Sequence, residues 1–234
     1  MTETAGRARP DGGSRGADGG SRGADGGGRG AAAAAPAAIR RRMRAPERRA
    51  QLLEVARRVF GEVGYHSASM DVVAREAGVT KPILYDHFPS KRDLYLALLD
   101  ADLGALHERV KAALDSPIGN RERIRASFRA YFDFVDEHAG GFRLLMQETV
   151  GAEGAFRERV EVARARIIDE VADLIVRESR GTLDRTHAET AALALVGMVE
   201  TVAQRDPGAP AAERAAAVET LVAFAWRGIS GLTV

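Results

Sequence analysis

The chain has 234 residues, a formal net charge of +1 and no cysteine, which excludes disulfides and thiolate chemistry. Apolar residues make up 45% and charged residues 29%, enough to bury a sizeable core in one or two domains. The longest strongly apolar run, Ala191–Val199, is far too short to cross a bilayer, so a soluble, cytoplasmic protein is expected.

In chain order the text opens on a repeat. DGGSRGA occurs at 11–17 and 18–24, and an altered copy, DGGGRGA, at 25–31. This Gly-, Ser- and Asp-rich composition cannot bury enough surface to offset chain entropy, which predicts a disordered tail over 1–45. No strand precedes the glycines and no helix directly follows, so they are not a phosphate-binding loop. The run AAAAAPAAI at 31–39 lies too late, and is followed by too many arginines, for a signal peptide. Residues 1–45 hold nine arginines against four acids, so the tail carries +5 and the rest of the chain −4.

Helical periodicity then begins. Leu52, Leu53, Ala56, Val59 and Phe60 share one face of a helix over Arg48–Val63. Ser69 is placed to cap a second helix whose apolar set is Met70, Val73, Ala74 and Ala77. Gly78 follows where a left-handed residue stops a helix without a Cβ penalty. Thr80 is positioned to cap a third helix, with Pro82 tolerated in its first turn. Ile83, Leu84 and the aromatic rings are expected to anchor it, leaving Lys81, Tyr85 and His87 as polar groups able to face a partner. Ser90 caps a fourth helix, which opens on Lys91 and runs to about residue 112. Two short helices joined by a tight turn are the geometry that puts one of them into a DNA major groove.

Residues 48–95 resemble the N-terminal DNA-binding module of the TetR family of bacterial regulators. The features appear in order: LLEVA…VF, Gly64-Tyr65, Ala77-Gly78-Val79, Leu84-Tyr85, His87-Phe88 and Ser90-Lys91. The resemblance implies a helix-turn-helix domain over 46–93 and an all-helical effector-binding and dimerisation domain over 94–230. Chemistry and resemblance together turn Arg48, Ser69, Thr80, Lys81, Pro82, Tyr85, His87 and Lys91 toward a duplex, Lys91 as a phosphate contact. Ile83 is apolar where some members carry a hydroxyl or amide, which suggests a thymine-methyl contact or no direct readout. Arg40, Arg41, Arg42 and Arg44 either reach phosphates or the minor groove, or stay a solvated charge run.

Further along, helices are expected over 120–138, 142–150, 155–179, 184–204 and 211–228, and no strand pattern appears; the fold is all α. The last two helices are apolar around most of their circumference. In the family such a pair forms a four-helix dimer interface, which here would use Leu195, Val199, Val218, Leu221, Val222 and Trp226. A homodimer would read a pseudo-palindrome. Phe128, Phe132, Phe142, Leu145, Met146, Ile168, Val171 and Met198 are the candidate lining of an apolar effector pocket. The segments NRERIRASFRAYFDFVDEH, GFRLLMQE, LVGM and FAWRG are similar to TetR-type regulators of fatty-acid synthesis that sense long-chain acyl-CoA. That resemblance implies an apolar tunnel for the acyl chain, with Arg129 or Arg143 meeting phosphate. It also makes a repressor released by its ligand the leading expectation, with activation set by operator position.

An enzyme is not expected. There is no HExxH, no Gly-x-Ser-x-Gly and no cysteine, and the histidines at 66, 87, 107, 138 and 187 lack paired helical spacing for a metal. His107-Glu108 and Glu137-His138 read as surface residues, and no cofactor is implied. The competing function is a ligand-binding dimeric adaptor that works through protein partners without specific DNA binding. The intact Thr80–Lys91 segment argues against it.

Overall fold

In the computed structural model the residues described are 44–138, 154–206 and 208–230. The tail before Arg44 and the helix expected at 142–150 lie outside them. All regular structure among the described residues is helical: α1 (Ala45–Ser67), α2 (Met70–Glu76), α3 (Lys81–His87), α4 (Lys91–Leu114), α5 (Asn120–Glu137), α6 (Gly154–Glu178), α7 (Arg185–Arg205) and α8 (Ala211–Ser230). Among the described residues no helix is long and apolar enough to cross a membrane.

Local chemistry sets the first four helices. Glu47 Oε2 accepts the Arg44 N–H at 3.1 Å, Pro46 sits in the first turn, and α1 bends at Gly64, where φ is 82°. Ser69 Oγ accepts the Val72 N–H at 3.3 Å to start α2, and Gly78, at φ 64°, turns the chain after it. Ser90 Oγ accepts the Asp93 N–H at 3.1 Å to start α4. Thr80 occupies the cap position of α3, but its hydroxyl makes no capping bond, contrary to expectation.

The first three helices close over a small core of Leu52, Val59, Phe60, Val73, Leu84 and Phe88. Each such side chain contributes on the order of 1.5–3 kcal/mol by leaving water. Helix α3 buries Leu84 alone, and Ile83, expected as an anchor, is 40% exposed. The boundary expected between residues 93 and 94 falls inside α4, which is continuous. Beyond it, α4 packs against α5 and α6, α7 against α6 and α5, and α8 against α5 and α7.

Two features join α1 to the larger helices. The rings of Phe60 and Tyr65 (α1), Tyr95 (α4) and Phe156 (α6) form one cluster, with Tyr95–Phe156 centroids 4.7 Å apart and Tyr65–Phe156 5.3 Å apart. Nearby, Arg57 Nη2 donates to Asp102 Oδ1 at 2.5 Å, and Asp102 is only 3% exposed. The Asp102 carboxylate raises the Arg57 guanidinium above its ordinary pKa. His107 is likewise buried, with Nε2 2.9 Å from Glu170 Oε1, which corrects its reading as a surface residue; one helix face could not reveal what α6 would cover.

Arg57→Ala would strand the Asp102 charge in the interior. A loss of about 3 kcal/mol in unfolding free energy is expected, partly restored by adding Asp102→Ala. Chemical denaturation at fixed protein concentration checks it.

Candidate nucleic-acid interface and ligand cavity

Because α3 spends one side chain on the core, most of its surface is presented outward. Lys81, Pro82, Ile83, Tyr85 and Asp86 are exposed, with Tyr85 at 45%, and His87 is half-buried against Phe88. Lys81 Nζ pairs with Asp71 Oδ2 at 2.7 Å across the turn, and this carboxylate raises the lysine pKa. The pair holds an exposed cation at the α2–α3 junction. Arg48 donates to Gln51 Oε1 at 2.8 Å, and Gln51 Nε2 donates to the Ala77 carbonyl at 3.3 Å. Its guanidinium therefore supports the turn from α1. Arg49, which sequence reasoning did not single out, stacks over the Phe88 ring at 4.5 Å.

Lys91 differs from expectation. Its ammonium donates to the carbonyls of Tyr65, His66 and Ala68 at 2.8, 3.1 and 3.1 Å and lies 4.6 Å from the Tyr65 ring centroid. An ammonium has three protons, so all are engaged at the end of α1, and a phosphate contact would require giving one up. The spacing of helix starts places Lys91 near a duplex but does not show the carbonyls that α1 turns toward it.

The larger helices line a cavity of about 290 Å³ that is partly open to the surface. Helix α4 contributes Leu103, Leu106, Val110 and Leu114, and α6 adds Val160, Ala163, Ile167, Val171, Leu174 and Ile175. From Val160 to Glu178 the α6 wall runs about 27 Å, so the space is elongated. Of the expected lining residues, Phe128 and Val171 border it; Phe132, Ile168 and Met198 do not, and Phe142, Leu145 and Met146 lie outside the described residues. Phe132 shares the apolar stripe of α5 with Phe128 but is buried away from the space.

Polar groups that the sequence reading missed also border the cavity. Arg123 Nη1 and Asn120 Nδ2 donate to Glu178 at 2.9 and 3.2 Å, tying α5 to the last turn of α6. Arg164 pairs with Glu200 at 2.9 Å, joining α6 to α7, and burial pushes the Glu200 carboxyl upward in pKa. Tyr131 accepts from Gln204 Nε2 at 3.5 Å, and burial likewise raises its phenol. Arg129, expected as a phosphate contact, is exposed and pairs with Glu219 at 3.3 Å.

The proposed dimer residues need correction. Leu195 and Val199 border the cavity, and Val218, Leu221 and Val222 are buried inside the same chain. Of the six, only Trp226 is exposed, at 36%. Beside Trp226, the large apolar side chains that α7 and α8 leave outside are Leu193, 48% exposed, and Phe224, 70% exposed. A helix apolar on two sides does not tell which side meets its own core.

Lys91→Ala is expected to lower Tm by about 3–6 °C, because three carbonyls lose a charged donor. Tyr85→Ala and Ile83→Ala, on the exposed face, should move it by less than about 2 °C. Scanning calorimetry separates the two groups.

Residues 52–98 match the family model for bacterial regulatory proteins of the tetR family, and residues 120–228 match the tetracyclin repressor-like C-terminal domain. The chain is 40% identical over 190 residues to the HTH-type transcriptional activator FasR of Mycolicibacterium smegmatis, covering 81% of this chain and 86% of the relative. It is similar to the crystal structure of a TetR-like transcriptional regulator from Rhodococcus sp. RHA1, with 31% identity and a TM-score of 0.65 over 81% of this chain and 100% of that one. The fold is shared with AibR, solved with isovaleryl coenzyme A and operator DNA, at 22% identity and a TM-score of 0.59 over 76% of this chain and 97% of that one. The small helical unit with an outward α3, the helical body behind it and these matches agree: the chain belongs to the TetR family of DNA-binding transcriptional regulators.

Proposed function

We propose that the protein acts in the cytoplasm as a homodimer on a pseudo-palindromic operator, with operator affinity controlled by a long-chain acyl-CoA in the α4–α7 cavity. The observation that carries this reading is the cavity itself: an elongated space walled by aliphatic side chains and polar mainly near Arg123–Glu178 and Arg164–Glu200. Such walls suit a flexible hydrocarbon better than a compact polar metabolite. AibR, a protein of the same fold, was crystallised with isovaleryl coenzyme A and operator DNA, which is compatible with an acyl coenzyme A here.

On the DNA side, α3 carries Thr80, Lys81, Pro82, Ile83 and Tyr85 into the major groove, and the α2 start at Ser69 faces phosphate. Leu193 and Phe224 supply the apolar centre of the dimer contact. Ligand that prefers one spacing of the two α3 helices moves the population by no more than its differential affinity. A filled cavity is expected to loosen the operator complex. Repression relieved by ligand is one output of that change; the relative is named as an activator, and activation is the other output where the operator lies differently relative to the promoter.

The test uses the purified full chain and a fragment selected from genomic DNA, followed by fluorescence anisotropy with hexadecanoyl-CoA or coenzyme A alone. Hexadecanoyl-CoA should weaken operator binding at least about tenfold, coenzyme A alone should not, and Ala163→Phe should keep DNA binding while losing the response. Equal operator affinity with and without a bound acyl ligand contradicts the reading. Failure to select any fragment over random competitor would favour an adaptor instead.

A further inference from the structure

Among the described residues, the cavity wall holds one buried polar side-chain atom without a hydrogen-bond partner. Ser127 Oγ is buried without a hydrogen-bond partner among the described residues. A serine or threonine within a helix commonly returns its proton to the carbonyl four residues back. Thr190 and Thr220 do so here, donating to Thr186 and Ala216 at 2.9 Å, and Ser116 donates to Ala112 at 2.8 Å. Ser127 does not, although the Arg123 carbonyl lies at that same offset on its own helix.

Its setting makes the exception informative. Arg123, Ser127 and Tyr131 follow one another at intervals of four along α5, so they share one face, and all three border the cavity. The outer two have protein partners: Arg123 donates to Ser116, Asn120 and Glu178, and Tyr131 accepts from Gln204. Ser127 stands between them, about 6 Å of helix axis from each, in a cavity whose α4 lining is aliphatic and whose α6 lining is mostly so. A desolvated hydroxyl with no acceptor is costly, and a ligand that brings one recovers the loss.

A saturated acyl chain has no polar atom except at its activated end, where a carbonyl oxygen accepts. One missing acceptor in the wall and one acceptor on the chain are complementary. We infer that Ser127 donates its hydroxyl proton to the carbonyl oxygen of the bound acyl thioester, which makes it a specificity-determining residue of the cavity. The contact fixes how deep the carbonyl enters, and so how much cavity remains for the hydrocarbon. Chain-length preference is then measured from Ser127. This assignment rests on the acyl reading proposed above.

The experiment titrates the full-length wild type and Ser127→Ala with hexadecanoyl-CoA and with S-hexadecyl-coenzyme A, the thioether in which a methylene replaces the carbonyl. Binding is followed calorimetrically, with a thermal melt confirming that the alanine variant folds. The wild type should bind the thioester about five- to tenfold more tightly than the thioether. Ser127→Ala should erase that preference by weakening the thioester alone, and should flatten selectivity among acyl chains of different length. Equal binding of both compounds by the wild type, or a preference that persists in Ser127→Ala, overturns the assignment while leaving the acyl reading standing. Binding of neither compound by the wild type overturns both.

Discussion

Four aromatic rings meet where α1, α4 and α6 converge, and on the proposed function the coupling of ligand binding to DNA binding depends on that contact. Phe60 and Tyr65 come from the helix that backs α2 and α3, Tyr95 from the first turns of α4, and Phe156 from the start of α6. Two turns further along α4, Asp102 holds Arg57 in a largely buried ion pair. Close-packed rings and a buried pair do not deform smoothly; they keep one arrangement or exchange it for another. A shift of α4 or α6 must therefore be followed by α1.

Helix α4 makes this economical. Its opening turn is fastened to the end of α1 by Lys91, its middle by Asp102, and its second half supplies Leu103, Leu106, Val110 and Leu114 to the cavity. One rigid rod thus touches both the DNA-facing unit and the space proposed for ligand. Helix α6 is a second such rod, with Phe156 in the ring cluster and its later turns along the cavity. On the proposed function, a ligand that spreads these walls acts on both rods together. The effect at the operator is limited by how much better the ligand fits the spread state than the closed one.

The parts of this fold that local chemistry decides could be read from the amino-acid text. Ser69, Gly78 and Ser90 announce their helix ends because a cap or a positive φ needs only neighbouring atoms. The expected spans of α5 to α8 differ from those observed by no more than two residues at either end, since a 3.6-residue period is also local. What could not be read is which helix lies across from which. Val218 and Val222 look like interface residues on α8, yet their partners are in the same chain, while Phe224 on the same helix stays outside. Ser127 looked unremarkable in the run RASFRAYF, because its missing partner is visible only once the cavity exists. Lys91 matched a phosphate-contacting position, but its three carbonyls lie 23–26 residues away in sequence.

On the proposed function, the cavity and the DNA-facing helices move as one system through α4 and α6. Hydrogen exchange of the full chain, followed by mass spectrometry with and without hexadecanoyl-CoA, tests it most directly. Altered protection should extend from the cavity-lining half of α4 through its first turns and into α1 around Arg57 and Tyr65. Protection that changes only along α5 and the later turns of α6, with α1 and the start of α4 unaffected, would contradict it.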